Sequence, residues 1–93
     1  MARRIVRLRI AGRVQGVGYR DWLVGRARGL KLDGWVSNSA DGTVEAVVAG
    51  EAQLVETLIA ACQVGPRAAR VTEVTVKDDP ESPPAGFARK PGY

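Results

Sequence analysis

Hydrophobic residues in this chain of 93 recur with two different periods, and the order in which the periods change leaves few architectures open. Ile5–Ala11 alternates, with Val6, Leu8 and Ile10 on one face and Arg7 and Arg9 on the other, which predicts a half-buried strand. A glycine-rich loop, Gly12–Gly18, follows. Tyr19, Leu23 and Ala27 stand at four-residue spacing and predict a helix over Tyr19–Arg28, with Gly29 placed to end it in a left-handed cap. Leu32–Asn38 reads as a second strand, and Ser39-Ala40-Asp41-Gly42 as a hairpin turn. Thr43–Ala49 reads as a third strand, broken by Gly50, with Val44, Ala46 and Val48 alternating against Glu45 and Val47. Over Glu51–Val64 the helical period returns: Leu54, Val55, Leu58, Ile59 and Cys62 form one apolar stripe, stopped by Gly65-Pro66. Val71–Lys77, rich in valine and threonine, reads as a fourth strand. The Pro-rich loop 77–86 cannot be regular, because three prolines remove donors and lock φ. Residues 87–93 supply a short edge strand at Phe87–Arg89 and a tail.

The order βαββαβ predicts an α+β fold of the ferredoxin-like kind, an antiparallel sheet of four to five strands with two helices on one face. Residues 1–93 are expected to form a single domain, since a chain of this length has no room for a second core. Such a fold carries many functions and narrows the answer without giving it.

Residue types narrow it further. Histidine is absent and Cys62 is the one cysteine. That excludes a serine–histidine or cysteine–histidine nucleophile, a disulfide, and any site built on histidine or clustered cysteine. No metal or other cofactor is expected, so chemistry here falls to arginine, amides, carboxylates, backbone and water. No apolar run approaches the roughly 20 residues that cross a bilayer. The N-terminal arginines interleave with apolar residues instead of flanking an apolar block. The expectation is a cytoplasmic protein without a membrane partner. The formal charge of +4 fits either an anionic partner or a solvated basic surface.

Gly12, Gly16 and Gly18 lie between a strand and a helix, where glycines let the backbone turn its N–H groups toward an anion. The start of the helix adds its positive dipole end, and Arg20 falls in the first turn with a guanidinium suited to phosphate oxygens. A Walker loop would need Gly-Lys-Ser/Thr where Gly18-Tyr19-Arg20 stands, and the dinucleotide loop a third glycine at Asp21. Spacing alone leaves two readings open: an anion cradle, or a glycine-rich connection followed by a surface arginine.

The stretch Ile10–Arg20, IAGRVQGVGYR, resembles the acylphosphatase signature G-x-V-Q-G-V-x-F-R, with Tyr19 where the family most often has phenylalanine. Gly34-Trp35-Val36-Ser37-Asn38, followed by Gly42, Val44 and Gly50, resembles the family's second block. The resemblance spans about Arg4 to Val76 and implies a small hydrolase of acyl phosphates. It implies that Arg20 and Asn38 are the catalytic residues, and that the backbone amides of Gln15, Gly16, Val17, Gly18 and Tyr19, with Arg20, hold the substrate phosphate. Water oriented by Asn38 would attack directly, with no phosphoenzyme. The expected partner is a small acyl phosphate and no nucleic acid, and a monomer is expected. The C-terminus departs from the family pattern, since Arg89 stands at an aliphatic position; that leaves the last edge strand open and the site untouched.

Other residues have structural readings. Cys62 is expected in the core, Asp41-Gly42 in ordinary turn chemistry, and Asp21 at the helix N-terminus for its charge. Trp22 and Trp35 are packing residues, unless one lines the mouth of the site. The rival function, RNA binding on the same element order, needs aromatic platforms on the two central strands. Arg7, Arg9, Glu45 and Val47 supply none.

Overall fold

Val6, Leu8 and Ile10 are fully buried while Arg9 is exposed, so the period of two at the N-terminus does divide a strand into a core face and an outer face. The computed structural model describes residues 2–92; Met1 and Tyr93, the two ends of the expected domain, lie outside the described residues. The order is β1 (Arg3–Arg13), α1 (Tyr19–Gly29), β2 (Asp33–Asn38), β3 (Val44–Glu51), α2 (Ala52–Cys62), β4 (Arg70–Asp78) and β5 (Phe87–Arg89). The five strands form one sheet in the order β4-β1-β3-β2-β5. The apolar sides of α1 (Tyr19, Leu23, Ala27) and α2 (Val55, Leu58, Ile59, Cys62) join Val6, Leu8, Ile10, Val36, Val44, Ala46 and Val48 in one core. Burying each leucine or isoleucine there contributes about 1.5–3 kcal/mol. Among the described residues, no helix is long and apolar enough to cross a membrane.

Four local expectations shift, the simplest being that β3 runs through Gly50 to Glu51 instead of breaking there. Gly12 does not open the loop: β1 continues to Arg13 through an irregularity at Ala11/Gly12. There Gly12 takes φ +123, and a Cβ would lie 2.1 Å from the Arg70 carbonyl oxygen. Close approach between strands requires that glycine. Helix α1 does not end at a left-handed Gly29 but runs through it, and the left-handed residue is Lys31 (φ 56). Lys31 N–H bonds the Arg28 carbonyl and Leu32 N–H the Ala27 carbonyl, closing the helix so that Leu32 turns into the core. Glu51 is the cap of α2 rather than its first residue, its carboxylate accepting from Gln53 N–H and Leu54 N–H.

The sheet is mixed, not wholly antiparallel, because β5 pairs parallel with β2. The cause is the path of the chain. β4 ends at the end of the sheet where β2 begins, and the segment from Asp79 to Gly86 crosses to the far edge before β5 starts. Gly34 N–H bonds the Gly86 carbonyl, and Lys90 N–H bonds the Val36 carbonyl, fastening β5 in that direction. On the way the segment covers the face opposite the helices. Arg7, Val47, Trp35 and Ala88 form a row across that face. Asp79 and Glu81 bond to Arg7, Glu81 also accepts from Trp35 Nε1, and Pro83 is buried, as is Val47.

β1, β2 and β5 all run in one direction. Their C-terminal ends therefore bring the loop after Arg13, Asn38 and Arg89 to the same end of the sheet.

Candidate active site

Val14–Gly18 connects β1 to α1, and its shape follows from glycine. Gly18 caps α1 with φ +80 and Gly16 has φ +74, a region that residues with side chains rarely enter. A Cβ at either would meet nothing within 4 Å, so the space beside the loop is open. Having no side chain, Gly18 cannot cap the first turn of α1. Among the described residues, the N–H groups of Gln15, Gly16, Val17, Gly18 and Tyr19 have no hydrogen-bond acceptor; the first bond of the turn is Trp22 N–H to the Gly18 carbonyl, 3.0 Å. A hollow of about 60 Å³ lies here, lined by Val14, Gly16, Gly18, Tyr19, Arg20, Asp21 and Arg89. The half-buried Arg20 makes no ion pair or side-chain hydrogen bond with the other described residues.

Two expected loop residues hold the loop in shape. Tyr19 is buried under it, and its hydroxyl donates to the Cys62 carbonyl, 2.7 Å away, at the end of α2. Burial raises the phenol's pKa, so it stays a neutral donor. Gln15 Nε2 donates to the Ser39 and Thr43 carbonyls, 2.8 Å each. Its side chain is thus committed to the β2–β3 turn, which leaves only its backbone N–H for an anion. That turn is itself tied by Asp41, which accepts from Thr43 N–H (3.0 Å) and Thr43 Oγ1 (2.6 Å) and pairs with Arg9. The Thr43 hydroxyl, above all, lowers the Asp41 pKa to about 2.

Asn38 ends β2, just before the residues that hold Gln15. Its Oδ1 is buried with no hydrogen-bond partner among the described residues, an acceptor left unused at a cost of about 1–3 kcal/mol. Gly92 of the tail lies against its backbone, where a Cβ would come within 2.5 Å of the Asn38 carbonyl oxygen. Asn38 does not line the hollow of Arg20; the loop's Gln15 side chain bonds the carbonyl of Ser39, the next residue along.

A family model for acylphosphatase matches residues 6–89. The chain belongs to the acylphosphatase family. It is similar to an acylphosphatase of Acidiphilium cryptum, 54% identical over 83 residues, which covers 87% of this chain and 89% of that one. Another, from Thermococcus kodakarensis, is 57% identical over 76 residues, 80% of this chain and 82% of its own. The solved structure of an acylphosphatase from Coxiella burnetii matches with a TM-score of 0.90 at 30% identity, over 95% of this chain and 93% of that one.

In this acylphosphatase a wider groove, about 780 Å³, opens beside β5 between residues that include Arg28, Trp35, Glu81 and Lys90. Several of its polar groups are engaged: Trp35 Nε1 donates to Glu81, Lys90 Nζ sits 4.3 Å from the Trp35 ring centre, and Arg28 Nε donates to the Phe87 carbonyl. The smaller hollow lies in the loop whose N–H groups are unpaired among the described residues, beside Arg20. Trp35 belongs to the groove and Trp22 packs with its ring centre 5.3 Å from that of Tyr19; neither lines the hollow. Cys62 is a core residue, and burial pushes its thiol up to about 11, so it is no nucleophile at neutral pH.

Arg89 is what the sequence reading missed. The edge strand forms despite its arginine, and Arg89 lines the hollow beside Arg20. The available signal was the period of two, since Phe87 is buried and Arg89 shares its face.

Proposed function

We propose that this acylphosphatase hydrolyses the carboxyl–phosphate bond of a small acyl phosphate by direct attack of one water on phosphorus. The supporting observation is a hollow of about 60 Å³ lined by Gly16, Gly18, Tyr19 and Arg20, in a loop whose five successive N–H groups have no acceptor among the described residues. The amides of Gln15 to Tyr19 and Arg20 hold the phosphoryl oxygens and stabilise the charge shared among them as the bond to the leaving group stretches. Asn38 orients the water through its side-chain amide, which offers both a donor and an acceptor. The new P–O bond forms as the P–O bond to the acyl group breaks. The carboxylate departs with the electron pair, and the water's proton passes to a phosphoryl oxygen. A carboxylate is a good enough leaving group to need no protonation, which suits a chain without histidine.

Binding of RNA has no comparable support. The face that such domains use is covered here by the segment holding Asp79, Glu81 and Pro83.

The test is hydrolysis of acetyl phosphate in heavy-oxygen water with excess chelator. Acetate and phosphate should appear in equal amounts, with the label in phosphate. Label in acetate would mean attack at the carbonyl carbon. Loss of activity in chelator, restored by magnesium or zinc, would overturn a mechanism in which protein groups alone supply the charge.

A further inference from the structure

We infer that Arg89, contributed by the C-terminal strand, is a second phosphate-binding residue that grips the same anion as Arg20. The inference rests on the hollow being the phosphate site.

Register explains how Arg89 gets there. It lies opposite Val36, a core residue, so its side chain leaves the sheet on the helix side, toward the start of α1. There it lines the hollow with Gly16, Gly18 and Arg20. One contact orients it: Nη1 donates to Asp21 Oδ1 at 2.8 Å. A guanidinium has five N–H donors in a rigid fork, and this bond uses one of them. The others can reach an anion beside Arg20, and a planar fork binds two oxygens at once.

Folding alone does not account for this placement. The side chains of Arg89 and Asp21 are 46% and 71% exposed, and a pair so open to water contributes little to stability. An aliphatic residue would serve the inward face of β5 better. Electrostatics does account for it. Asp21 also lines the hollow, three residues after Gly18, and its charge opposes a phosphate. Arg89 offsets that charge and adds donors of its own. The wall then carries two cations and one anion, facing a ligand of one or two negative charges.

The two contributions separate in a double-variant cycle. Phosphate affinity is read as a competitive inhibition constant with acetyl phosphate, and independently as the rise in melting temperature with phosphate. Arg89→Ile, β-branched and suited to a strand, should weaken phosphate about 10-fold and raise KM equally, with kcat within about 3-fold. Arg89→Gln, close in length, should do the same and stands in if the isoleucine variant misfolds. Combining Arg89→Ile with Asp21→Asn should leave phosphate weak, because the lost donors are not replaced. Recovery of wild-type affinity in that double variant would show that Arg89 merely neutralises Asp21. Wild-type affinity in both single variants would show that the arginine serves only the sheet edge. Failure of the acylphosphatase reading looks different: wild type would not turn over acetyl phosphate, whereas the melting measurement still reads Arg89.

Discussion

Arg7 and Arg20 differ in what their guanidinium groups find within the chain. Arg7 lies on the sheet face away from the helices. Its Nε donates to Asp79 (2.7 Å), its Nη2 to Glu81 (3.3 Å), Nη1 pairs with Glu45 (3.2 Å), and the guanidinium sits 5.5 Å from the Trp35 ring centre. The hydrogen bond to Asp79 chiefly raises the Arg7 pKa and, in return, lowers that of Asp79. Every strong partner of this arginine comes from the chain itself. Arg20, beside a loop whose N–H groups are likewise unpaired, has no such partner among the described residues. Folding is complete around Arg7. Around Arg20 the donors are left for a partner from outside the described residues, as expected of the proposed phosphate site.

Methionine substitution tests that contrast most directly. Arg20→Met should cut kcat/KM on the order of 10³, as for loss of a charge-stabilising arginine, with little change in melting temperature. Arg7→Met should keep kcat/KM within a few-fold but lower stability by about 1–2 kcal/mol, a figure kept small because solvent screens the partly exposed cluster. Denaturant melts and steady-state kinetics on both variants decide it. Loss of turnover in a stably folded Arg7→Met would erase the distinction.

Asn38 sharpens the comparison within the site, since it should act on the water and not on the phosphate. Asn38→Ala should lower kcat by about 10² while phosphate inhibition stays within a few-fold. A parallel loss of phosphate affinity would reassign Asn38 to the cradle.

The smallest effect concerns the turn that anchors Gln15. Asp41 has its pKa lowered from 3.8 to about 2, first by the Thr43 hydroxyl. A carboxyl lowered on folding stabilises the native state above its unfolded pKa and loses that contribution as pH falls through the folded one. Melting temperature should therefore drop between about pH 4 and pH 2, and more shallowly in Asp41→Asn. Identical acid slopes would show that the turn carries no such linkage.

The elements around Arg20 were legible because their signals are local. Alternation at Val6, Leu8 and Ile10 and the four-residue spacing of Tyr19, Leu23 and Ala27 report burial directly. The helix boundaries were less legible, because Gly29 could end a helix by itself but Leu32, buried in the core, draws the left-handed turn to Lys31. The Gln15 side chain could not be placed from its neighbours, since its partners lie at Ser39 and Thr43.

The C-terminal part shows where the division falls. By itself the sequence determined the strands and helices, the loop conformation that Gly16 and Gly18 permit, and the candidates Arg20 and Asn38, all within short stretches of chain. Only the tertiary structure decided that β5 runs parallel to β2, that Asp79 and Glu81 close over Arg7, and that Arg89 enters the hollow. An irregular segment with three prolines has no period to read. Its path is set by what it must cover and bond on a sheet built from residues some 30 to 70 positions away, Val47 and Arg7 among them.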